Sequence, residues 1–338
     1  MKKITLSDIA QKTGFSVNTV SHALKDKSDI SKETKKYIND TAIAMGYIPN
    51  ISAGVLRGGK TMSVAIILDD SAAPYYSEAI KEAERFLHRK GYSLLLMNTY
   101  GDEELERSAI IRALSQNVDG IILSPVQKTD ANIDFLEKNG TPYILFGRKD
   151  KKSGYVAPND VECGYQAAKH LIDLGHSKIL FINNSNYADD SLSGIEKAFK
   201  EASLSLDGLF VKSLGASDDI EEIVPERPDF SAVICFDDAI ATKVYRRLRL
   251  TGKNIPEDIS VISFGSISDY AVIPITSVGV TPSQLALEAA ASLLEMINKN
   301  EPLPQTILPV KLFLGETTKE VSSRFRAQSR RVLSDYLL

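Results

Sequence analysis

Between Ser16 and His22 the chain reads SVNTVSH. As a helix, this run sets Val17, Asn18, Thr19, Ser21 and His22 opposite an apolar side made by Val20, Ala23 and Leu24. Short polar side chains in that layout hydrogen-bond to base edges and phosphates when their helix lies in a major groove. The other reading is a helical hairpin that only packs. Catalytic chemistry has less to build on. The chain carries no GxGxxG after a strand, no GxxxxGK[ST] and no GxSxG. Its four histidines, 22, 88, 170 and 176, lack metal-ligand spacing, and Cys163 and Cys235 lack CxxC spacing. The two cysteines read as small buried apolar residues. Neither an enzyme, a metal site nor a cofactor is expected.

The elements that would position the polar run are legible on both sides of it. Leu6, Ile9 and Ala10 recur at helical spacing until Gly14 breaks the pattern, and Ser16 is placed to cap the next helix. A third helix, about Ser31–Met45, opens at SKET, where Ser31, Glu33 and Thr34 resemble a capped first turn; Ile38, Ala42 and Met45 close a three-helix core. In the linker 47–62, Pro49 starts the segment NISAGVLR and Gly58-Gly59 end it. With Gly54 inside, eight residues are too few for a stable helix in water. From Ser63 the pattern turns to strand–helix alternation. SVAIIL, YSLLLMN, DGIILS and PYILF read as buried parallel strands, with helices at about Tyr76–Lys90, Glu103–Asn117 and Asp130–Asn139 between them. A second series opens near Tyr155: GYVA, KILFIN, SAVICF and ISVISF, with helices at about Val161–Leu174, Ile195–Ala202 and Ala239–Thr251. The predicted fold class is an all-α helix-turn-helix headpiece plus an α/β body of two doubly wound parallel-sheet lobes.

Charge divides along the same line. Residues 1–60 hold ten Lys/Arg against five Asp/Glu, whereas the remainder holds 30 against 39, so the net −4 hides a basic headpiece on an acidic body. Such a headpiece can meet phosphates while the body repels DNA, although a solvated lysine-rich face would look similar. No run of 18 apolar residues occurs, and MKKITLSDIA turns polar too soon for a signal peptide, so a cytoplasmic protein with no membrane contact is expected.

TLSDIA, the TVS inside SVNTVSHAL, MGYIPN and a hinge ending in Leu56-Arg57 together resemble the lactose-repressor (LacI/GalR) family of bacterial transcription regulators, from residue 3 to about 318. The resemblance implies a DNA-binding headpiece at 1–46, a hinge helix and linker at 47–62, and a two-lobed body of periplasmic-binding-protein type I kind at 63–318. Its lobes would be roughly 63–154 plus 281–306, and 155–280 plus 307–318. A C-terminal extension follows at 319–338, with too few heptads for a tetramerising coiled coil, so a homodimer on a near-palindromic operator is expected. By resemblance, Val17, Asn18 and His22 read bases, with Leu6 near the same groove; Ser16, Thr19, Ser21, Ser31 and Thr34 meet phosphates. Tyr47 and Asn50 contact DNA around the start of the hinge. Leu56, with Ala53 beside it, wedges into the minor groove at the operator centre. Asn18 suits a bidentate pair with adenine and Val17 a methyl contact. His22 stands where the family commonly has arginine, and can bond to guanine with its one donor. His176, in DLGHSKI, matches a core motif, which implies a structural role.

For the cleft between lobes, the family's usual ligand is a sugar or nucleobase. Three of its ligand positions differ here and fall on Ser191, Asp237 and Gly265. The expected rim includes Asp69, Asp70, Asp189, Asp190 and Asp237, with Tyr75, Tyr76 and Tyr155 as stacking faces and Arg148 as the main basic group. Such a cleft suits a sugar derivative or, through carboxylate pairing and cation–π contact, an amine-bearing ligand. A nucleobase or a phosphorylated ligand ranks lower. The competing reading is that several of these aspartates cap helices, Asp189 or Asp190 before Ser191 and Asp160 before Val161. Two further readings are a cleft that has lost its effector, with control by a partner protein, and a solute receptor, against which the headpiece counts.

Overall fold

The computed structural model describes residues 4–48, 60–126, 130–184, 190–214, 219–265, 274–299 and 304–321. The chain divides into two units, Met1–Thr61 and Met62–Leu338. The first holds α1 (Leu6–Thr13), α2 (Val17–Leu24) and α3 (Lys32–Ala44). Each start is capped from the sequence. Thr5 and Asp8 form a reciprocal capping box on α1; Ser16 accepts the Thr19 amide (3.0 Å) on α2, and Ser31 the Thr34 amide (3.2 Å) on α3. Gly14 ends α1 at φ 76°, a conformation that side chains strain, and so turns the chain sharply into α2. Ile9, Ala10, Val20, Ala23, Ile38 and Ala42 form the core, with Leu6, Leu24, Met45 and Tyr47 against its edge. The Tyr47 amide donates back to the Ala42 carbonyl (2.9 Å) past Gly46, which folds the tyrosine onto that core.

The second unit begins with β1 (Ser63–Leu68), α4 (Pro74–Arg89), β2 (Ser93–Asn98), α5 (Glu103–Ser115), β3 (Gly120–Leu123), α6 (Ala131–Asn139), β4 (Tyr143–Phe146) and β5 (Tyr155–Pro158). It continues with α7 (Asp160–Asp173), β6 (Ile179–Asn184), α8 (Ser191–Glu201), β7 (Leu209–Leu214), the single turn α9 (Ile220–Ile223), β8 (Ala232–Cys235), α10 (Asp238–Leu250) and β9 (Ser260–Phe264). Last come β10 (Thr276–Gly279), α11 (Pro282–Lys299), β11 (Gln305–Leu308) and β12 (Lys311–Phe313). One six-stranded sheet runs β11-β5-β4-β3-β1-β2, all parallel; the other runs β12-β10-β9-β8-β6-β7, with only β12 antiparallel. Central strands are apolar on both faces because helices cover both, as the near-continuous burial of SVAIIL shows.

The chain passes between lobes after β5, between β10 and α11, and between β11 and β12. The first passage corrects the sequence reading. GYVA belongs to the first sheet, where β5 pairs with β4 and β11, so the second series opens with β6. The return of the chain to the first sheet likewise extends through Leu308. Strand β7 and strands β10 to β12 had no clear apolar run to announce them. β7 is an edge strand, and β11 and β12 are short and half exposed. His176 is structural, as expected: Nδ1 meets Ser231 Oγ (2.8 Å) and Nε2 meets the Lys319 carbonyl (2.9 Å), pinning Lys319 to the second lobe. Residues 322–338 of the C-terminal extension lie outside the described residues.

Candidate nucleic-acid interface and ligand cleft

Helix α2 presents Val17 and Asn18 to solvent at its first turn, which the Ser16 cap leaves clear. Ser16 and Thr19 also join their hydroxyls (2.8 Å), and Ser31 donates to the Thr34 hydroxyl (3.1 Å). These four residues therefore serve the helix starts themselves, and their amides and hydroxyls gather at two helix N-termini, where phosphates are favoured. Ser21 is half-buried on α2, and Leu6 packs at the edge of the core. Tyr47 does the same, and burial raises its hydroxyl above the usual tyrosine range. His22 is not simply exposed. Its Nδ1 lies 2.5 Å from Asp29 Oδ2, in the loop before α3. That hydrogen bond holds the Asp29 carboxyl below the usual carboxylate range. Asp29 carried no motif and was missed in the sequence. The hinge residues Asn50, Ala53 and Leu56 lie outside the described residues.

In the body, the strand ends of both sheets gather polar groups, as parallel sheets do at their C-terminal edges. Asp69 follows β1, and its carboxyl is raised by burial and by the charge of Asp70, against a hydrogen bond from the Gly101 amide. Asp70 accepts the Ala72 amide (2.9 Å). Tyr76 meets Ser124 at the end of β3 through their hydroxyls (3.2 Å). Tyr75 stands edge-on to Tyr76 with ring centres 5.3 Å apart, and tilted to Phe146 at 6.1 Å. Burial, Tyr76 and Asp238 of the other lobe all raise its hydroxyl, so Tyr75 sits where the lobes meet.

Asp237 caps α10 by accepting the Ile240 amide (2.7 Å). Burial raises its carboxyl in spite of hydrogen bonds from Ile240, Asn184 and Ala239. Its neighbour Asp238 is buried and takes the Ser263 hydroxyl. Gly265, at φ 111°, leaves no room beside it: a side chain there would start 2.9 Å from Asp238 Oδ2.

Four expectations change. Tyr155 is no open stacking face; it is buried in the core beneath α5 and α6. Ser191 is buried too, where α7 and α8 cross so closely that a Cβ on Gly164 would lie 1.9 Å from the Ser191 carbonyl oxygen. The pair Gly164 and Gly194 is the sequence signal for that crossing. Asp160 is not the cap of α7; Asn159 is, accepting the Glu162 amide (3.2 Å). Finally, Lys149, absent from the expected basic groups, reaches across to the other lobe, next to Arg148, which lies 3.4 Å from Asp130 of its own lobe. Lys149 Nζ is 2.9 Å from Asp160 Oδ2 and 3.7 Å from Asp190 Oδ2, at the starts of α7 and α8. Asp190 begins α8 without a side-chain cap bond, which leaves its carboxylate turned to Lys149. Asp189 lies outside the described residues. Among the described residues no cluster of His, Cys, Asp or Glu could hold a metal, and no helix is long and apolar enough to cross a membrane.

Comparison with known proteins places these features. Residues 5–50 match the model for bacterial regulatory proteins of the lacI family, and residues 168–318 match a periplasmic binding protein-like domain. The HTH-type transcriptional repressor PurR of Glaesserella parasuis is 30% identical over 89% of this chain and 92% of its own. That of Vibrio atlanticus is 30% identical over 88% and 93%. Among solved structures, the lac repressor dimer bound to operator and the anti-inducer ONPF superposes with a TM-score of 0.80 at 20% identity, covering 94% of this chain and all of that one. The transcription regulator CcpA of Lactococcus lactis gives 0.67 at 25% identity, covering 76% and 99%. A capped helix-turn-helix with an outward polar face, joined to a two-lobed α/β body, thus meets full-length relatives that are repressors rather than enzymes: the chain belongs to the lacI family of DNA-binding bacterial transcription regulators.

Proposed function

We propose that this regulator is a cytoplasmic repressor that grips a near-palindromic operator as a homodimer and answers to a sugar or sugar derivative between its lobes. The observation that carries the DNA half is the face of α2, where Val17 and Asn18 are exposed and make no side-chain hydrogen bond among the described residues. Asn18 and Val17 read bases, with His22 one turn on; the N-terminal groups of α2 and α3 seat phosphates, and Leu56 with Ala53 opens the operator centre. Support for a hydroxyl-rich ligand comes from Asp69, Tyr76, Ser124 and Asp237, polar groups at strand ends beside the aromatic faces of Tyr75 and Phe146. The ligand changes operator affinity only as far as it binds two body conformations unequally.

A second reading has one specific support. Burial raises both Asp69 and Asp237, and a cationic group beside them would restore their charged forms. Operator anisotropy titrations with neutral sugars, amino sugars, small amines, phosphosugars and nucleobases separate the two. A response to neutral sugars that survives Asp237→Asn supports the first reading; a response to amines alone, abolished by Asp237→Asn, replaces it with the second. Silence across the panel refutes both and leaves control by a partner protein.

A further inference from the structure

The contact between His22 and Asp29 fixes more than a side-chain position. The hydrogen bond from His22 holds the Asp29 carboxyl down, so it is an ionised acceptor with no proton to give. The group at Nδ1, 2.5 Å away, must therefore be the donor. A neutral imidazole has only one N–H; once Nδ1 carries it, Nε2 is a bare acceptor. The Nε2 atom makes no hydrogen bond among the described residues, and the His22 side chain keeps 25% of its surface exposed beside Ser21 on α2. The ring cannot turn over to offer a donor outward without breaking the Asp29 contact. In the major groove, guanine offers two acceptors and thymine one, whereas the amino groups of adenine and cytosine are donors.

We propose that Asp29 is a positioning residue for base reading. By accepting the hydrogen bond from Nδ1–H of His22 it leaves Nε2 of the neutral ring as an acceptor facing the groove, so the half-site base read there is an amino base, adenine or cytosine, on the contacted strand. This rests on the reading of α2 as the base-reading helix. It also replaces the guanine bond that the imidazole's single donor suggested in the sequence, because that donor is spent on Asp29. Where other side chains at this position act as donors, the His22–Asp29 unit inverts the polarity of the contact.

The test uses the full chain at pH 8. Sites are selected from random duplexes with the parent, His22→Ala, Asp29→Ala and Asp29→Asn, and the four bases at the affected position are then compared by anisotropy. The expected parent prefers adenine or cytosine there by about tenfold, within the range of one good base contact. His22→Ala loses that preference and no other. Asp29→Ala loses most of it with the remaining positions intact, and Asp29→Asn retains it because the amide oxygen still accepts from Nδ1. Long-range proton–nitrogen spectra of the imidazole should show Nδ1 protonated in the parent and Asp29→Asn, and the tautomers mixed in Asp29→Ala. Replacing the adenine N6 or cytosine N4 amino group of the selected pair by hydrogen should cost the parent that preference; an affinity unchanged by the replacement overturns the proposal, as does an Asp29→Ala variant that keeps the parent's preference. A His22→Ala profile identical to the parent's refutes the reading of His22 as a base contact at all, which is a different failure.

Discussion

Lys149 ties the two lobes together, and its two partners differ in a way that fixes what its removal should cost. The Lys149 and Asp160 side chains are only 27% and 24% exposed and stand 2.9 Å apart; Asp190 is 71% exposed at 3.7 Å. At an effective dielectric constant of about 20, the closer pair attracts by roughly 6 kcal/mol before desolvation. Withdrawing both groups from water offsets most of that, which leaves about 1–2 kcal/mol. Solvent screens the Asp190 pair to about 0.5 kcal/mol or less. A double-mutant cycle with Lys149→Met, Asp160→Asn and Asp190→Asn, read by urea denaturation with far-ultraviolet circular dichroism, should recover those couplings in that order. Burial lowers the Lys149 ammonium, but the hydrogen bond to Asp160 and the charges of Asp160 and Asp190 outweigh it, so the group sits above its ordinary 10.5. The sign follows. A raised folded value means the stabilisation is whole below pH 10.5 and disappears as pH rises through the folded value. Coupling to Asp160 near zero, or equal coupling to both partners, would show that Lys149 does not tie the lobes through a half-buried pair with Asp160.

Three other outcomes follow from local geometry. Gly194→Ala would put a Cβ 1.9 Å from the Val161 carbonyl oxygen and force α7 from α8, so urea denaturation should show a loss of about 3 kcal/mol or more, or no folded body. Asp237→Asn keeps a good cap on α10 and removes a carboxyl whose burial opposes its charge. The variant should melt above the parent at pH 7, and the gap should close as pH falls toward 3.8, where the unfolded group also protonates. Ser16→Ala removes the Thr19 amide's acceptor at the start of α2, at a cost of about 1 kcal/mol visible in thermal melts of the headpiece signal.

Much of this was legible in the sequence because it is local. Ser16 and Ser31 announce helix starts, Gly14 a sharp turn, and runs such as SVAIIL a strand covered on both faces. What escaped was set by neighbours distant in the chain. Tyr155 carries an aromatic ring that could line a cleft, yet its strand joins the first sheet and points that ring into the core. Ser191 stands at a helix start like any rim residue, but the close approach of Gly164 buries it. Lys149 is one of forty basic residues until α7 and α8 bring Asp160 and Asp190 to it. Asp29 follows a lysine-rich turn with no motif, and only the folded loop shows that it holds the imidazole of a helix two turns away.

Helix α2 as the element that reads DNA is the central claim to test. The direct measurement is selection of random duplexes by the full chain, repeated with Asn18→Ala, with affinities of the selected sites measured by anisotropy across salt concentrations. The expected result is a near-palindromic site, a salt-dependent affinity, and loss of preference at one symmetric base pair in Asn18→Ala. That loss should be about 1–3 kcal/mol of discrimination, with the salt slope unchanged. No enriched sequence, or an Asn18→Ala variant that selects the parent's site at every position, would contradict it.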